Sequence, residues 1–399
     1  MRTPVLPLRW IASSLLLACA ALAGCAGAQK PKGPDVVWPP PPEIPRIRWV
    51  RSFATEEDLG GSGMRALGRA FLPLESGTTV AQPTGLALSP DERTLYVASN
   101  AAGRVIAVDL EKAAMRRFAV SGDLIPSNPF GVATDADGNV YMTDHTRGRV
   151  VVFGADGKFV RKFGEGKLER ATGIAIDRRR QVVYVTAGVS SESQHHRVEV
   201  FSLKGDHLRT IGTRGHGPGE FNFPANLAVA PSGELYVADM LNFRVQVFDP
   251  DGQLVAMWGQ LGTGAPGAFD KLKSIGLDAF GNVYTVDSAQ QLVQIFNPKH
   301  QPLMAFGGNG TEPGSMAVPT AIAITSRNVI FIADFAVNLV HQFELINTTA
   351  EDSYRPSNAP ASDVPAAAAP ATAPTSPSPA KSPAGGVKSP AQAPAPRNP

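Results

Sequence analysis

The stretch Phe221–Gly259, FNFPANLAVAPSGELYVADMLNFRVQVFDPDGQLVAMWG, decides the fold. Its turn residues divide it into four short runs of strand character. Leu227 to Ala230 is apolar throughout, as expected of a strand covered on both faces. Ser232-Gly233 reverses the chain and Leu235 to Ala238 returns. Arg244 to Phe248 alternates polar and apolar residues. Asp251-Gly252 supplies a hairpin turn, and Leu254 to Trp258 forms the last run. A meander this short cannot bury both of its faces alone, so it calls for neighbours of its own kind.

Those neighbours are present. PTGLALSPDERTLYVAS starts at Pro83, PFGVATDADGNVYMTD at Pro129 and ATGIAIDRRRQVVYVTA at Ala171. LKSIGLDAFGNVYTVD starts at Leu272 and PTAIAITSRNVIFIAD at Pro319. With the first stretch they make six units, at a period of about 40 to 50 residues. Tandem four-stranded units of this length imply an all-β chain, a six-bladed β-propeller over residues 46–350. The pattern F-x-x-P-x-x-L-A-V, then L-Y-V-A-D, then N-x-R-V-Q-V-F resembles the NHL repeat, and the loop Gly212–Pro224 is similar to the loop between NHL blades. The resemblance runs from about Pro45 to Leu345. It weakens in units five and six, where Leu292 and Leu339 replace the arginines seen as Arg149 and Arg244.

Unit six has a third strand, Leu339 to Leu345, followed by INTTAEDSYRP, which lacks strand character. Arg46 to Phe53 (RIRWVRSF) is a spare strand ahead of unit one. It is expected to supply the missing fourth strand and close the ring, which removes exposed edges. Glu56 to Val80 is longer than the other loops. Met64, Leu67 and Phe71 fall there at helical spacing, and a short helix is expected over 64–74.

The flanks read differently. Arg2 and Arg9 precede a short apolar stretch, Ile11 to Leu22, well under the roughly 20 residues of a membrane span. It ends in Leu22-Ala23-Gly24-Cys25, which resembles the bacterial lipobox; that resemblance implies a signal peptide over 1–24 and a lipid on Cys25. Ala26 stands where similar lipoproteins kept in the inner membrane often carry Asp, so the expected location is the outer membrane, facing the periplasm. Residues 25–45 read as a Pro-rich tether. Residues 351–399, rich in Pro, Ala and Ser, cannot bury enough apolar surface to fold and read as a disordered tail. The only cysteines are Cys19 and Cys25, so the repeat region has no disulfide and no thiolate.

Chemistry-bearing residues are few. Asp144, Asp239, Asp287 and Asp334 end the second strand of their units, and an acid recurring once per unit is expected to tie strands two and three together. In peptide-amidating lyases, which resemble NHL propellers, histidines around the channel bind zinc. Gluconolactonase-like propellers use Glu, Asn and Asp there. The residues opening the inner strands here are Thr84, Phe130, Thr172, Ala225, Lys273 and Thr320, with Asn226 the only matching type. No catalytic residue, metal ligand or cofactor is therefore assigned; a metal-dependent lyase or lactonase working in the channel is the alternative. The net charge of +2 gives no pull toward nucleic acid. The expected role is a binding module for a protein or peptide, anchored to the membrane by its lipid. Its binding face would collect Met64, Leu67, Phe71, His145, His195, His196, His216, Met240, Phe243 and Phe335 on loops.

Overall fold

A computed structural model describes residues 35–60, 78–101, 103–119, 126, 128–310 and 312–352. Cys25, the 64–74 segment with Met64, Leu67 and Phe71, and most of the 351–399 segment lie outside them.

Six antiparallel sheets are arranged as blades, each running from an inner to an outer strand. In blade four the strands are Pro224–Val229, Leu235–Asp239, Arg244–Phe248 and Leu254–Trp258. Second strands such as Val140–Asp144 and Leu235–Asp239 are buried along their whole length, because neighbouring blades cover both faces. Outer strands such as His207–Ile211 alternate or lie exposed. The apolar interior is therefore divided among six clusters, each wedged between two adjacent blades.

The wedge shape explains a sequence regularity. On the inner strands Ala87, Ala133, Ala175, Ala228, Gly276 and Ala323 stand opposite Tyr96, Tyr141, Tyr184, Tyr236, Tyr284 and Phe331 of the second strands. Blades converge toward the axis, so the inner position must be small where the next one out is large. At Gly276 a Cβ would sit 3.0 Å from Ile322 Cγ2 of the next blade.

The spare strand closes the ring as expected. Ile47–Phe53 pairs antiparallel with Leu339–Leu345, from Ile47 opposite Leu345 to Phe53 opposite Val340. Its apolar side chains serve both sides of blade six: Ile47 belongs to the blade five–six core and Phe53 to the blade six–one core. One part of the tether expectation needs correction. Val37–Trp38 adds a fifth strand to blade six, and the Trp38 ring packs 6.1 Å from Phe306 and 5.8 Å from Phe343. An apolar Val-Trp pair beside an open edge is worth more packed than extended in water.

Candidate functional site

The acids that end the second strands are structural, and in blade four they also build a loop. Asp239 is fully buried. Its carboxylate accepts from Asn222 N (2.7 Å), Asn242 Nδ2 (2.8 Å), Arg244 Nε (2.8 Å) and Gln246 Nε2 (3.1 Å). Burial pushes the Asp239 carboxyl up from its ordinary range, ahead of the hydrogen bonds that pull it down. Arg244 then donates to the carbonyls of His216 (3.0 Å), Gly217 (2.7 Å) and Glu220 (2.8 Å). The loop is pinned from below by Phe221, fully buried in the blade three–four core. Gly212 is needed at its start: φ is +73° and a Cβ would lie 2.4 Å from the Phe221 ring.

This loop forms one wall of a pocket of about 410 Å³ between blades three and four, lined by Gln194, Thr213, Arg214, Gly215, His216 and Asn222. Gln194 comes from the blade-three insertion. Ser193 Oγ donates to Glu169 Oε2 (2.9 Å), and Arg214 Nη1 donates to the Ser193 carbonyl (2.6 Å), which joins insertion to loop. Asn242 Nδ2 donates to Asp239 and to Gly215 O, which fixes the amide so that its Oδ1 faces His216 Nδ1 at 2.6 Å. His216 Nδ1 is therefore the donor, and its Nε2 is left for a ligand.

The expected binding residues divide on inspection. His195 and His216 are exposed, and Met240 is half-buried in the short 3-10 turn Met240–Asn242 beside the pocket. His196 is not a surface residue: it is fully buried, receives Phe223 N on Nδ1 (3.3 Å) and donates from Nε2 to Ser190 O (3.0 Å). Both ring nitrogens are used in holding the insertion, so it has none for a ligand. His145 also turns inward, with its Nδ1 3.2 Å from Ala171 O and its ring 5.4 Å from Phe130; burial lowers its pKa. Phe243 sits in the left-handed region (φ 55°) and packs on the blade four–five core, while Leu241 beside it is 36% exposed. Phe335 is half-buried in blade six, two blades from the pocket. Arg214, Gln194, Asn222 and Leu241 were not singled out by sequence, since isolated loop residues carry no periodic signature.

Blades five and six solve the missing arginine in their own ways. Asp287 is satisfied by the backbone N–H groups of Asp270, Lys271, Ala289 and Gln290. Asp334 meets His341, 3.5 Å away, whose Nδ1 is 2.7 Å from Ser52 Oγ on the closing strand. The Ser52–His341–Asp334 line has the residue types of a hydrolase triad. Asp334 and His341 are buried within blade six and Ser52 is half-buried, and none of the three lines either of the two pockets.

The channel mouth on this same loop face is committed to joining blades. Thr320 Oγ donates to Pro83 O (2.8 Å), Thr84 Oγ to Pro129 O (3.2 Å) and Thr143 Oγ to Thr172 O (2.9 Å). Asn226, the one residue of the lactonase-like type, donates from Nδ2 to Ser274 Oγ (2.9 Å) and accepts Leu227 N on Oδ1. Among the described residues no group of three or more His, Cys, Asp or Glu side chains is placed to share a metal ion. The opposite end of the channel is a cavity of about 450 Å³, with aliphatic side chains such as Ile176, Val229 and Ile324, and with Arg178 at its rim.

Comparison with known proteins agrees with this architecture. A model of the NHL repeat matches residues 221–248, the repeat that carries Asp239 and Arg244. The chain is a six-bladed β-propeller whose fourth blade matches the NHL repeat. A model of the SMP-30/Gluconolactonase/LRE-like region matches residues 74–187 of the propeller. It is 26% identical over 211 residues to human NHL repeat-containing protein 2, covering 50% of this chain and 25% of that protein. It is 31% identical over 138 residues to Protein brain tumor of Drosophila melanogaster, covering 33% of this chain and 12% of that one. The propeller thus spans a quarter or less of the length of these relatives. A gluconolactonase from Xanthomonas campestris superposes with a TM-score of 0.52 at 16% identity, over 79% of this chain and 99% of its own, a likeness of fold alone.

Proposed function

We propose that the propeller is a binding module that seats a protein or peptide partner on its loop face at blades three and four, held in the bacterial envelope by a lipid on Cys25. The location that follows is the outer membrane, facing the periplasm. The observation that carries the binding reading is the pocket lined by Gln194, Arg214, His216 and Asn222, flanked by exposed Leu241 and built on a buried Asp239–Arg244 support. A rigid floor under accessible polar and apolar side chains is what a recognition surface requires. The lipobox-like Leu22–Cys25 supports the anchor. The rival channel enzyme would have to draw on inner-strand openings whose threonines and Asn226 already bond between or within blades.

A photo-crosslinking residue at Leu241 tests the site against one at Phe159, an exposed residue on the outer strand of blade two. Discrete crosslinks from Leu241 and none from Phe159 are expected in cells; equal yields from both positions would remove the loop face as the site. Cys25→Ser should move the protein from the membrane fraction to the soluble fraction.

A further inference from the structure

We propose that the pocket between blades three and four binds a carboxylate group, offered by the peptide or protein partner as an acidic side chain or a free C-terminus. This rests on the partner-binding reading above and specifies its chemistry. The central group is Arg214. Its Nη1 donates to the carbonyls of Ser191 (3.4 Å) and Ser193 (2.6 Å), which orients the guanidinium without neutralising it. Among the described residues its Nε and Nη2 have no acceptor and it forms no salt bridge. That leaves the Nε–Nη2 edge of the fork, the geometry that carboxylates engage with two parallel hydrogen bonds.

The acids around it are already occupied. Asp239 takes four donors, Glu169 Oε2 takes Ser193 Oγ, and Glu220 Oε2 takes Gly217 N (2.9 Å). Glu192 sits exposed on the insertion and is not among the lining residues. The lining contains no carboxylate, whereas Gln194 and Asn222 contribute side-chain amides with no partner among the described residues. An oriented cation flanked by unspent amide donors matches a monoanion. A phosphate dianion would be expected to find a second cation, and Arg214 is the only lysine or arginine in the lining.

The test is isothermal titration of the full chain with two pairs of end-blocked tripeptides. One pair compares acetyl-Gly-Glu-Gly-amide with its Gln counterpart; the other compares acetyl-Gly-Gly-Ala acid with its amide. In at least one pair the acid should bind about tenfold tighter than the amide, with the preference falling as salt rises. The pair that discriminates identifies side chain or C-terminus as the source. Arg214→Gln should erase the preference and Arg214→Lys should restore part of it. Gln194→Ala with Asn222→Ala should weaken the acid several-fold at an unchanged melting temperature, and this variant carries the test if Arg214→Gln fails to fold. Amides binding as well as acids, no saturable binding of either acid, a phosphoserine peptide binding more tightly than both, or a preference that survives these variants would overturn the proposal. If the preference is absent but Leu241 crosslinks persist, the carboxylate reading fails alone. If both are absent, the binding reading fails with it.

Discussion

Truncation of Phe53 to Ala tests whether the N-terminal strand is integral to the ring. Phe53 is fully buried in the core between blades six and one, beside Leu59, Val80 and Met115. Transfer of its ring from water stabilises the fold by about 1.5–3 kcal/mol, and the cavity left behind raises the loss to about 3–5 kcal/mol. With a urea slope of roughly 2–3 kcal/mol/M, the midpoint should fall by about 1–2 M. Val50 lies on the same strand with 39% exposure, so Val50→Ala should cost under about 1 kcal/mol. The assay is urea unfolding followed in parallel by far-UV dichroism and intrinsic fluorescence. Both probes should report one shifted transition for Phe53→Ala. Coincident midpoints for Phe53→Ala and Val50→Ala would refute the reasoning, because the strand would then be peeling away without taking the blades with it.

Gly276→Val should destabilise by about 1–3 kcal/mol through overpacking against Ile322 and Ile324, read as a lowered urea midpoint. Arg244→Met leaves Asp239 buried without its cation and should cost about 3–5 kcal/mol in the same assay, with Arg244→Lys recovering part of the loss. The third concerns acid. Burial raises the Asp334 carboxyl, but the facing His341 imidazole and hydrogen bonds from the backbone N–H groups of Ala317 and Val318 outweigh it and leave the carboxyl below its usual range. A carboxyl depressed in the folded state stabilises above its unfolded pKa of about 3.9 and loses that contribution as pH falls through the folded value. Asp334→Asn should therefore flatten the stability profile below about pH 4 and lower stability at neutral pH, as measured by unfolding from pH 2 to 7.

The propeller was legible because its constraints repeat. A small residue on each inner strand and an aromatic opposite it recur in every blade, and the spare RIRWVRSF could only be a strand lacking a partner. The site was legible in part. His216 lines the candidate pocket and Met240 lies beside it, whereas His196, His145 and Phe243 fold inward; loop residues that fold inward look in sequence like those that do not. The blade-six partner of Asp334 was hidden for another reason. Sequence alignment looks for arginine at Leu339, whereas His341 supplies the contact from two positions further along the same strand.

The closing strand sets a constraint in time as well as in space. Arg48 hydrogen-bonds Glu344, 296 positions later in the chain. At synthesis rates of about 5–20 residues per second, the first-made strand waits roughly 15–60 s before its partner exists. Blades one to five can each assemble as their residues emerge, but the seam of blade six cannot. The last act of folding is therefore the capture of an early-made strand by a late one. A nascent chain stopped short of Leu339 is an open arc with two unpaired flanks, prone to meeting another arc. Whatever holds Ile47, Trp49 and Phe53 out of trouble during that interval governs the yield of closed molecules.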